Sequence, residues 1–238
     1  MTLNIGSFGR CRVFEDFLGI GAPTSGTTAG IPLGGVVQYA TAAGPTIAKV
    51  VDEPGGVVSF TTAATDNDNV ALIAGVFKPA DGGCVMEARV KMATLATKAC
   101  FVGFSETLAT TPVMPAEATG ANVLTCNGSG SMVGLLFDTN TTNEKWLAVA
   151  GDAGVEETVY ETDAPVADYW DVIRVEITAD KGDGTVYLNG KVVHTFSAFC
   201  TTTDIQHAVV MFENRTTSAL EYDVDYIYAE GGRDWTDS

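Results

Sequence analysis

Positive charge is what this chain lacks most. Its 238 residues carry 13 Lys and Arg against 30 Asp and Glu, a formal net charge of −17. A field of that sign repels phosphate backbones and anionic membranes, so neither nucleic acid nor a membrane is an expected partner. Histidine is nearly absent, with only His194 and His207. Cys11, Cys84, Cys100, Cys126 and Cys200 are odd in number, widely spaced and never Cys-x-x-Cys. Clustered zinc ligands are therefore missing, and buried thiols in a protein made in a reducing compartment are the expectation. No apolar run approaches the ~18 residues of a membrane span. Residues 1–12 have neither a basic nor an apolar leader region, so a secretory signal is not expected there. Gly-x-Ser-x-Gly does not occur, and Gly151-Asp-Ala-Gly154 is too short to cradle a phosphate. No cofactor is expected.

What is present is β-pattern. Hydrophobic residues make up 46% of the chain, enough for a substantial core. Short runs rich in β-branched and aromatic residues fill residues 36–230, nearly all bounded by Gly, Pro, Asn or Asp. In Met86-Glu-Ala-Arg-Val-Lys-Met92 the set Met86, Ala88, Val90, Met92 is expected to face a core, with Glu87, Arg89 and Lys91 wet. Ile173, Val175 and Ile177 repeat the pattern. Two half-wet sheets imply a two-layer antiparallel sandwich, all-β in class. Asn189-Gly190, between Thr185–Leu188 and Lys191–Val193, predicts a type I′ hairpin turn. The Gly- and Thr-rich residues 1–35 read as an N-terminal arm interrupted by one strand-like run, Arg12–Leu18. Residues 36–238 read as the sandwich domain. Thr107 to about Gly130 reads as a second long loop.

The succession Asp171–Ile177, Asp183–Val193, Val209–Asn214 and Tyr222–Tyr228 resembles the C-terminal half of concanavalin A-like jelly rolls of the LamG and legume-lectin type. Glu87–Met92 followed by Phe101–Glu106 resembles their middle strands. More narrowly, the pattern over roughly residues 36–230 is similar to jelly-roll proteins of tailed-phage particles, including capsid decoration (cement) proteins. That resemblance implies a non-enzymatic virion protein, made in the host cytoplasm and bound to the major capsid protein on the capsid exterior. A glycan-binding or receptor-binding tail module is the alternative, and a glycoside hydrolase a remoter one.

The best catalytic candidate is Glu221-Tyr-Asp223-Val-Asp225, since alternate residues of a strand share a face. Related jelly-roll glycosidases pair carboxylates on such a strand. Here the last is the shorter Asp225, and a solvated strand face is the preferred reading, so no catalytic residue is assigned. Asp66-Asn-Asp-Asn69 is oxygen-rich but lacks the rest of a calcium loop, and a structural turn is expected instead of a metal site. The expected interaction residues are Val13, Phe14, Phe17 and Leu18 in the arm, with Val113 and Met114 in the long loop. Through one of these apolar segments the chain is expected to form a homotrimer.

Overall fold

The computed structural model describes residues 9–18, 30–41, 45–50, 53, 55–108, 112–127, 130–152, 155–156 and 159–233. Two antiparallel sheets stack face to face. The first runs β17 (Lys191–Phe196), β16 (Gly184–Leu188), β15 (Trp170–Ile177), β7 (Cys84–Lys91), β19 (Glu221–Gly232), β5 (Val58–Thr61), β4 (Thr46–Lys49). An eighth strand, β1 (Arg10–Glu15), pairs with the second half of β19. The second sheet has nine strands and runs β13 (Val155–Glu156), β12 (Trp146–Asp152), β11 (Met132–Asp138), β8 (Lys98–Ser105), β18 (Gln206–Asn214), β6 (Asn69–Phe77), β3 (Val36–Ala40), β2 (Ile31–Leu33). The short β14 (Tyr160–Glu161) pairs with β12. Among the described residues the one helical element is a single 3-10 turn, Pro79–Asp81.

The expected alternation holds. Met86, Ala88, Val90 and Met92 are buried, as are Ile173, Val175 and Ile177, and they pack with Val102, Phe104, Leu135 and Phe137 of the second sheet. Trp146 is fully buried, and its indole N–H donates to Asp171 Oδ2 at 2.9 Å, capping one end of the sandwich. Asn189 (φ 50°) and Gly190 (φ 79°) both take positive φ, as the type I′ turn requires.

Two segments read as loops contain strands. In the Thr107–Gly130 stretch, β9 (Ala116–Thr119) and β10 (Val123–Cys126) form a hairpin of their own. It covers the outer face of the nine-stranded sheet: Met114, Ala116, Ala118 and Leu124 pack on Phe101, Leu136, Leu147 and Met211 as a second core. That explains why every residue of β8 and β11 is buried, on both faces. Gly103 and Gly134 are register partners, and a Cβ on either would lie within about 3.0 Å of the Phe101 ring. The two glycines thus make the slot in which that ring lies.

In the expected arm, Arg10–Glu15 makes six register pairs with β19, and Phe17 is fully buried in the main core. This part of the segment belongs to the sandwich, because Phe17 has more apolar surface to bury than a solvated arm allows. Residues 19–29 of the arm lie outside the described residues.

Candidate functional site

Strand β19 carries the three carboxylates of the glycosidase-like pattern. A register shift between Val224 and Tyr226 makes Asp225 the extra residue of a bulge. Tyr222, Val224, Ile227 and Ala229 point inward around it, so the strict alternation assumed for Glu221, Asp223 and Asp225 is broken at the third position. Each carboxylate has a partner within the protein. Glu221 accepts from Ser59 Oγ at 2.8 Å, Asp223 sits 3.3 Å from Lys91 Nζ, and Asp225 sits 2.5 Å from Arg89.

These contacts belong to a lattice over the outer face of the eight-stranded sheet. Neighbouring strands place Arg174 opposite Glu87, and Glu87 opposite Tyr228, so charges alternate across the strands. Arg174 lies 3.6 Å from Glu87 and donates to Glu176 at 2.6 Å, while Tyr187 donates to the other Glu176 oxygen. Tyr226 donates to Glu87 at 2.7 Å. Arg10 and Arg12 each reach Glu230 at 2.6 Å, and Tyr228 also donates to it. The Trp170 ring lies 4.6 Å from the Arg89 guanidinium and 5.0 Å from the Lys91 ammonium, within cation–π range. Burial alone would raise the Glu230 carboxyl, but hydrogen bonds from Arg12, Tyr228 and Arg10 bring it down to about 2. Arg10, Arg12, Arg89, Lys91 and Arg174 therefore answer Glu87, Glu176, Asp223, Asp225 and Glu230. Glu53 and Asp168 also approach Lys91, at 3.7 and 3.5 Å, and together with Glu221 they leave this face mildly acidic in a chain of −17.

A second ionic cluster lies under the β9–β10 hairpin. The buried Arg215 guanidinium bonds Asp138 at 2.6 Å, contacts Glu213, and lies 3.8 Å from Glu117 on β9. Burial raises Glu213 to about 7 despite Arg215. Burial likewise lowers Lys98 to about 8, where its ammonium donates to the Glu221 carbonyl over the Tyr222 ring. Shifts of this kind often mark active sites. Here Glu213, Asp138 and Lys98 are each at most 1% exposed, so no substrate reaches them and the cluster serves to fasten the hairpin.

The expected interaction residues are not brought together. Phe14 is 60% exposed on the eight-stranded sheet, its ring 6.0 Å from Tyr226, and Leu18 is exposed beyond the strand. Val13 is half-buried against the main core. Val113 is exposed beside the hairpin, on the opposite side of the sandwich. Phe17 and Met114 are fully buried within the chain and present no surface to a partner. Asp66–Asn69 forms a turn: Asp68 accepts from Thr41 Oγ1 and the Ala63 N–H, and Asn67 takes φ 59°. Among the described residues no group of three or more His, Cys, Asp or Glu is arranged to hold a metal ion. An open pocket of about 390 Å³ between Val76, Phe77, Ile205 and Arg233 is mainly apolar. The sequence analysis did not find the partners on the sheet face, chiefly Trp170 and Glu230. Glu87, Arg89 and Lys91 were legible as an outward row, but not what they face.

No family model matches the chain, and no curated protein matches it. Among solved structures, a protein of unknown function from Shewanella oneidensis is similar over 100% of this chain and 92% of its own, at 12% identity and a TM-score of 0.66. The carbohydrate recognition domain of Emp47p is similar over 79% and 88%, at 12% identity and 0.51. A glycosyl hydrolase family 16 protein from Mycobacterium smegmatis is similar over 91% and 98%, at 11% identity and 0.52. The fold is thus the concanavalin A-like jelly roll, shared by lectin domains and glycoside hydrolases.

Proposed function

We propose that the protein is a non-catalytic jelly-roll module that works by attachment, and that it attaches to a viral capsid as a decoration subunit. One observation carries the first half: Glu221, Asp223 and Asp225 are each held by a partner of the protein's own, two of them by cations. A retaining or inverting pair needs two carboxylates facing a shared sugar site, and here neighbouring side chains occupy that role. The hairpin of β9 and β10 closes the outer face of the other sheet. Support for the capsid is the strand pattern's similarity to phage-particle proteins.

Two assays separate the halves. Incubation with β-glucans is expected to release no reducing sugar, and turnover abolished by Asp223→Asn would overturn the non-catalytic reading. Co-sedimentation with purified capsids is expected, and its absence would remove the capsid as the target. A glycan is the second reading, favoured by Trp170, Tyr226 and Tyr228 on one open sheet face. Glycan-array binding lost in Trp170→Ala would select it.

A further inference from the structure

We infer that the outer face of the eight-stranded sheet is the surface through which two copies of this chain associate, packed sheet face to sheet face. Its charge, its composition and its extent all bear on the occupant.

A second copy brings another −17 charge, so most of the molecular surface repels it. The strands β1, β19, β7 and β15 are where that repulsion is weakest, because five of the chain's 13 basic residues lie there, each paired with a carboxylate. An acidic partner would find these five cations already paired, and a basic one would find most of the carboxylates held, with Glu221 bonded to Ser59 alone. A surface whose charges are paired in the same way meets it with the least penalty, and this face is itself such a surface.

The composition suits burial between proteins. Tyr, Trp and Arg, the residue types that dominate interface energetics, supply Tyr187, Tyr226, Tyr228, Trp170, Arg89 and Arg174. Their polar tips are bonded within the lattice, so covering them strands few donors. Phe14, 60% exposed, stands on the same face as an apolar anchor. Its eight strands fill seven positions about 4.8 Å apart and average between six and seven residues, so at about 3.3 Å per residue the face presents roughly 800 Å². That is about the area each partner contributes to a stable interface. Packing one face on its own copy is isologous and closes at two chains, which replaces the expected trimer by a dimer.

The inference goes beyond the proposed function and rests on it in one respect, that this face is not a catalytic cleft. Turnover would remove the function, whereas a monomer would remove the inference alone. The test is light scattering of the full chain across a concentration and salt series. A mass twice that of one chain is expected, with association strengthened by salt as the global repulsion is screened. Phe14→Asp, which places an unpaired charge on the face, should weaken association about tenfold or more. Val123→Asp, on the exposed hairpin at the other side, should leave it unchanged. Hydroxyl-radical footprinting of the unmodified protein should show Phe14, Tyr226 and Tyr228 becoming protected as concentration rises. A monomer or trimer at every condition, or a dimer broken by Val123→Asp and not by Phe14→Asp, would overturn it. So would footprints on the three rings that do not change with concentration.

Discussion

Phe17 adopts a left-handed φ of 55° and is nonetheless fully buried, so the strain of that backbone is carried by the packing of its ring. Phe17→Ala should destabilise the protein by about 3–5 kcal/mol, read as a lower urea midpoint. Glu213 offers a second test. Its folded-state carboxyl titrates at about 7, above the ordinary range, so between the two values the native state holds a proton the unfolded chain has released. Its contribution is full below the unfolded value and is lost as pH rises through about 7. Glu213→Gln should remove that slope, so the stability difference between variant and parent should change between pH 5 and pH 8. A constant difference would refute it. Glu230 has the opposite sign: held at about 2 by its arginines, it contributes above the ordinary carboxylate range, and that is lost as pH falls toward 2. Cys100 is fully buried and burial raises its thiol, so it should resist alkylation in the native protein and react after unfolding.

At the scale of elements, legibility followed locality. The run Lys191–Val193 opens the strand Lys191–Phe196, and Met86–Met92 falls on the strand Cys84–Lys91 and ends within one residue of it, because alternation and turn residues are local signals. The β9–β10 hairpin was not legible: Pro112, Pro115 and Gly120 punctuate it, and alanines at 116 and 118 carry little hydrophobic contrast. Its apolar partners lie on four other strands, and only the fold brings them near. The lattice on β7, β15 and β19 was hidden for the same reason, since its pairs are far apart in sequence and depend on register and on the bulge at Asp225. β1 was visible as a short run but not as a sheet strand, because glycines flank it and its partner, β19, lies at the other end of the chain. Removing residues 1–18 should therefore lower the melting temperature by several degrees. An unchanged melting curve would return this stretch to the status of an arm.

The whole molecule closes on itself through that last pairing. Gly9 accepts a backbone hydrogen bond from Arg233, and Arg10 through Glu15 run antiparallel to Gly232 through Ile227. Residues 9 and 233 therefore leave the sandwich side by side. Pulled apart at those two points, the β1–β19 ladder is loaded one hydrogen bond at a time, as a zipper is, instead of all together in shear. The sandwich would then yield first, and at low force, along this one seam. The rest of the sandwich would stay closed until Phe17 is drawn out of the core.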